Sequence, residues 1–129
     1  MSNTQRARVL VVEDDAEYQD ALADFFASAG YEVQVAGNGA DAILHLDDDG
    51  ARPCAVLVDL LMPGIVGQEL LEYLQTSEEL RAIPVAIVSG SPQLAPQGYR
   101  VFQNPVALDQ LLAFVRDSSA RATCTATAA

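Results

Sequence analysis

The chain has 129 residues, half of them hydrophobic, with 18 acidic and seven basic side chains and a formal net charge of −11. That length fits one domain with enough apolar material for a core, and the charge argues against DNA binding by phosphate neutralisation. All seven basic residues are arginines, scattered without a basic stripe, and no lysine is present.

Short apolar runs alternate with segments of helical period. Residues 1–7 read as a polar N-terminal extension. Val9–Val12 is a buried strand, followed by a helix over Ala16–Ala29 with Tyr18, Leu22, Phe25 and Phe26 at core spacing. Gly30 stands where a helix C-terminal cap belongs. Glu32–Ala36 alternates as a second strand, and Gly39–Leu46 forms a second helix ending in Asp47, Asp48 and Asp49, read as a solvated helix end. His45 is an ordinary residue of that helix.

Ala55–Val58 is a third strand ending at Asp59. A third helix covers Gly67–Thr76, with Leu70, Leu71 and Leu74 on its core face. Val85–Val88 is the fourth strand, Val101–Gln103 a short fifth, and Leu108–Arg116 the last helix. Between the fourth and fifth strands, residues 89–98 hold two prolines and two glycines, which leave room for one or two helical turns. The domain therefore spans 8–117, and 118–129 is expected to be a flexible C-terminal tail. The alternation predicts an α/β fold, with a parallel sheet covered by helices on both faces.

Cys54 and Cys124 form no paired motif, which suits a reduced, cytoplasmic protein. The first apolar run is too short for a signal peptide or a membrane span. No nucleic-acid or membrane partner is expected.

In open parallel sheets, function collects at the carboxyl ends of the strands. Here those ends carry Glu13, Asp14 and Asp15, then Asp59, then Ser89, then Asn104. Clustered carboxylates repel and call for a cation, and oxygen ligands of this kind suit Mg²⁺. Asp59 could attack phosphorus to form an acyl phosphate, and Ser89 could donate a hydrogen bond to a phosphoryl oxygen. Taken alone, an acid pair at a helix entrance is often only a cap, so Asp14 or Asp15 could cap the first helix.

Three segments in order, VLVVEDD, DLLMPGIVG (Asp59–Gly67) and PVAIVSG (Pro84–Gly90), resemble the receiver domain of two-component response regulators. The likeness runs from Arg8 to Arg116. It implies a doubly wound, flavodoxin-like (βα)5 fold with strand order 2-1-3-4-5, here with a shortened or irregular fourth helix. It also implies a single-domain signalling receiver rather than an enzyme. Asp59 would accept a phosphoryl group from a histidine kinase or phosphotransfer protein. Mg²⁺ would be the cofactor, held by Asp14, by Glu13 through water, by Asp59 and by the backbone carbonyl of Leu61. Ser89 would be the hydroxyl that follows the phosphoryl group. An unknown output protein would read the result, with the chain a monomer or weak homodimer.

The family's lysine position falls on Asn104, before Pro105. A unit charge pair about 4 Å apart is worth on the order of 4 kcal/mol at an effective dielectric near 20, against roughly 1 kcal/mol for a neutral amide hydrogen bond. Arg100 lies four residues back, roughly 13 Å along a strand, and Arg52 and Arg81 precede their strands. The family's aromatic on the fifth strand falls on Val101, with Phe102 directed to the other face. These departures define the alternative: a non-phosphorylated pseudo-receiver acting as a protein–protein interaction module. No second aspartate follows Asp59 by two residues, which argues against an acyl-phosphate hydrolase.

Overall fold

The structure, a computed structural model, describes residues 7–47, 52–59, 65–89, 99–103 and 108–128; of 59, 65–68, 89, 103 and 120–128 it describes the backbone alone. Five strands, β1 (Arg8–Val12), β2 (Glu32–Ala36), β3 (Ala55–Asp59), β4 (Val85–Ser89) and β5 (Arg100–Gln103), form one parallel sheet in the order β2-β1-β3-β4-β5. The helices are α1 (Ala16–Ser28), α2 (Gly39–Asp47), α3 (Ile65–Tyr73), α4 (Glu78–Arg81) and α5 (Leu108–Ala128).

Period-two alternation along each strand divides the core between the two faces of the sheet. Leu10, Val12, Val56, Val58, Val85 and Ile87 meet Ala42 and Leu46 of α2, and Leu70 of α3 with the adjoining Leu71 and Leu74. Val9, Val11, Ala55, Leu57, Ala86 and Val88 meet Leu22 and Phe26 of α1 and Leu111 and Val115 of α5. Both faces are therefore dry, which is why β1, β3 and β4 read as largely unbroken apolar runs. Val101 packs on the α2–α3 side, and Phe102 lies buried on the α5 side, edge-on to Phe114 at 6.0 Å.

Local chemistry sets the ends of α1. Asp15 caps its start, accepting from the backbone N–H groups of Glu17 and Tyr18. Gly30 ends the turn after it at φ +100°, a conformation that costs an L side chain energy.

Three boundaries depart from the sequence reading. The turn α4 was not foreseen; Ser77 starts it, accepting from Leu80 N at 3.1 Å. Helix α3 begins at Ile65 and ends at Tyr73. Helix α5 runs through the segment expected to be a flexible tail, reaching Ala128. Alanine favours a helix there, and Ser118 Oγ satisfies itself on the carbonyl of Phe114 at 2.9 Å. The stretch expected to hold a shortened fourth helix, residues 90–98, lies outside the described residues, as do Asp48 and Asp49. Among the described residues, no helix is long and apolar enough to cross a membrane.

At the end of the sheet where strands begin, Cys54 and Tyr31 are both buried. Burial is the main cause holding each above its ordinary pKa, and their mutual repulsion adds to it for Tyr31. In the unfolded chain the thiol ionises first, from about pH 8.5, so the folded state then binds more protons than the unfolded one. Stability should be full below that pH and fall as pH rises toward the raised thiol value. Urea unfolding between neutral and alkaline pH checks this, and Cys54→Ala should flatten the decline. Gly30→Ala should cost about 1 kcal/mol, a fall in Tm of roughly 3–5 °C. Gly37→Ala, where an added Cβ meets open space at ordinary φ, should cost less.

Candidate functional site

Parallel register brings the predicted residues to one edge. Val12 pairs with Val58 and Asp59 pairs with Val88. Glu13 follows Val12, so Glu13 and Asp59 stand at the ends of adjacent strands, spaced by about 4.8 Å between strand axes. Ser89 ends β4 and pairs with Gln103, the last residue of β5. The backbone thus gathers Glu13, Asp14, Asp59 and Ser89 along the carboxyl edge of β1, β3 and β4. Leu61 and Asn104-Pro105 lie outside the described residues, and the side chains of Asp59 and Ser89 are not among those described.

The three acids after β1 have separate roles. Glu13 is buried, at 2 % exposure. Its N–H donates to the carbonyl of Ala36 at 2.9 Å, which closes the Val12–Ala36 pair at the end of the β1–β2 ladder. Its Oε2 accepts from the N–H of Asp15 at 3.0 Å. Asp14 is exposed beside it, and Asp15 is spent on the cap of α1. Of the two acids that the sequence allowed as a cap, Asp15 takes that part.

Gln19 is a residue that sequence reading missed. Its side-chain amide donates to the carbonyl of Glu13 at 3.0 Å, tying the acidic turn to the first turn of α1. The available signal was its place one helical turn after the Asp15 cap. The N-terminus of α1 also adjoins this turn, and the positive end of its dipole favours negative charge there.

A buried carboxylate needs hydrogen bonds or a cation to offset lost hydration. Oxygen donors of two carboxylates at the end of β1, beside an aspartate at the end of β3, make a donor set that suits a hard divalent cation. Among the described residues, no three His, Cys, Asp or Glu side chains converge, a set that excludes the Asp59 side chain.

Among the described residues, Arg8, Arg52 and Arg100 are placed away from the acidic edge. Arg8 pairs with Glu32 at the opposite end of β1 and β2, and Arg52 pairs with Glu79 at 3.6 Å in an exposed contact. Arg100 opens β5, and its guanidinium sits 5.1 Å from the centroid of the Phe102 ring.

The division of labour among the acids can be measured. Asp15→Ala should cost about 1 kcal/mol of stability through the lost cap. Asp14→Ala, at an exposed position, should change the urea midpoint little. Equal losses from the two substitutions would contradict the assignment of the cap.

Comparison with known proteins agrees with this geometry. The family model of the response regulator receiver domain matches residues 9–103. The chain is similar to Protein PilH of Pseudomonas aeruginosa, 33% identical over 87 residues that cover 67% of this chain and 70% of that one. It is also similar to the DNA-binding response regulator MtrA of Mycobacterium tuberculosis, at 30% identity over 67% of this chain and 36% of that one. Among solved structures, a response regulator receiver protein from Pseudomonas putida superposes with a TM-score of 0.74 at 27% identity, covering 88% of this chain and 98% of that one. The chain spans a minor part of some of the proteins it matches, 36% in MtrA and 17% in a 76.5 kDa protein of Thiocystis violacea. The chain belongs to the response regulator receiver domain family of two-component signalling.

Proposed function

We propose that this receiver accepts a phosphoryl group on Asp59 from a phosphohistidine of a histidine kinase or phosphotransfer protein. The observation that carries the reading is the juxtaposition of buried Glu13, exposed Asp14 and the Asp59 backbone at one edge of the sheet. A carboxylate oxygen of Asp59 attacks phosphorus as the P–N bond breaks. The electron pair returns to the imidazole nitrogen, and an acyl phosphate forms. Ser89, at the end of the neighbouring strand, donates a hydrogen bond to a phosphoryl oxygen.

Mg²⁺ suits the donor set and, when bound, offsets the charge of the incoming phosphoryl group. Asp14 would hold it directly, Glu13 through water, Asp59 by its carboxylate and Leu61 by its backbone carbonyl. The N–H of Asp15 donates to the Glu13 carboxyl group and so holds it in place beside the site. Asn104 can donate a hydrogen bond but carries no charge, so the phosphorylated form is held less tightly than with an ammonium. The reading places the domain at 8–117 of a cytoplasmic protein, monomeric or weakly dimeric, with an output protein yet to be identified.

One observation favours a second reading, a pseudo-receiver that binds partners without a phosphoswitch. Val101, not an aromatic, occupies the β5 position on the α2–α3 face, and Phe102 is locked on the opposite face. An unchanged partner interaction after Asp59→Asn would support it.

Incubation with a small acyl phosphate and Mg²⁺, followed by intact mass measurement, tests the first reading. The expected result is one added phosphoryl group on the wild type and none on Asp59→Asn. No gain on the wild type, under conditions that label an ordinary receiver, contradicts it. Asn104→Lys should label faster, and Asp14→Asn should weaken Mg²⁺ binding roughly tenfold or more.

A further inference from the structure

At the end of the sheet opposite the acidic edge, a groove of about 560 Å³ opens where β4 and β5 begin. Ile83, Pro84 and Val85 form part of its wall, the rings of Tyr99 and Phe114 stand beside them, and Arg81 and Arg100 supply charge. Among the described residues no acidic side chain lines it, although acids outnumber bases 18 to 7 in the chain. Among the described residues, neither Arg81 nor Arg100 is in an ion pair. Tyr99 is held in place by its hydroxyl, which accepts from Gln75 Nε2 at 2.9 Å.

We infer that this groove binds a small anion carrying a planar apolar body, with the anionic group on Arg81 and Arg100 and the body against Tyr99, Phe114 and the aliphatic wall. The volume falls within the range of small-molecule clefts, roughly 300–1,000 Å³. Arginine matches phosphate and carboxylate with paired donors, and aromatic faces accept a flat apolar body. Charge decides between a small ligand and an acidic protein segment. A facing acidic protein meets the repulsion of a surface of net charge −11. A small anion senses the field within about one Debye length, roughly 8 Å at physiological ionic strength, where the two arginines dominate.

The site does not depend on phosphorylation of Asp59, so Asp59→Asn should bind as the wild type does. Adenosine monophosphate and indole-3-acetate serve as probes, titrated to millimolar concentration against the full chain with backbone amide shifts as the readout. The expected result is saturable movement of the Tyr99, Arg100 and Ile83 signals by at least one probe. Adenosine alone and inorganic phosphate alone should each bind at least tenfold more weakly. The paired substitution Arg81→Ala with Arg100→Ala should weaken binding at least tenfold while the chain still unfolds cooperatively, with Tm lowered by the loss of the Arg100–Phe102 contact, and Arg81→Lys with Arg100→Lys should restore part of the binding. No saturable shift with either probe overturns the inference, as does binding that survives the paired alanine substitution. Tighter binding of a glutamate-rich peptide than of either probe also overturns it, in favour of protein docking.

Discussion

Val12 pairs with Val58, and Asp59, the next residue along β3, pairs with Val88. The acidic edge depends on that parallel register. Strand side chains alternate faces, so a slip of one residue between β1 and β3 would exchange the two halves of the core. Leu10 and Val12 would then face the α1–α5 layer, and Val9 and Val11 the α2–α3 layer. Because both faces are dry, such a slip has no solvated alternative. The packing that fixes the core therefore also fixes Asp59 beside the acids that follow β1.

At that edge the fold accepts a local cost. Glu13 is nearly sealed from solvent, and a carboxylate in such a place needs compensation. The N–H of Asp15 provides part of it, and the positive end of α1 favours the charge. Asp15 serves the helix and Asp14 stays in solvent, so one short turn holds a structural acid, a buried acid and an accessible acid. Among the described residues, Arg8 and Arg52 are in ion pairs, and Arg81 and Arg100 stand at the far end of the strands. The acids of the site stand where strands end, and Arg81 and Arg100 stand beside an apolar groove where β4 and β5 begin.

Much of this could be read from residues alone, for physical reasons. Strands covered on both sides are unbroken apolar runs, so β1, β3 and β4 stood out. Gly30 marked the end of α1 because its backbone takes a positive φ. The turn α4 escaped because four residues are too few for a period, although Ser77 before two glutamates was a usable cap signal. The extension of α5 escaped because small polar residues suggest disorder, while alanine favours a helix. The acids of the site were legible as a cluster. Their separate roles were not, because Glu13, Asp14 and Asp15 differ in burial and partners rather than in chemistry. The groove was invisible in sequence, since its residues come from four separate segments of the chain.

The central claim is that this edge can hold a phosphoryl group without a lysine. Beryllium fluoride mimics that group without requiring a phosphodonor, which makes fluorine NMR with Mg²⁺ the most direct test. The account predicts a bound fluoride resonance in slow exchange on the wild type, absent from Asp59→Asn and from samples without Mg²⁺. Free fluoroberyllate signals alone on the wild type would contradict it.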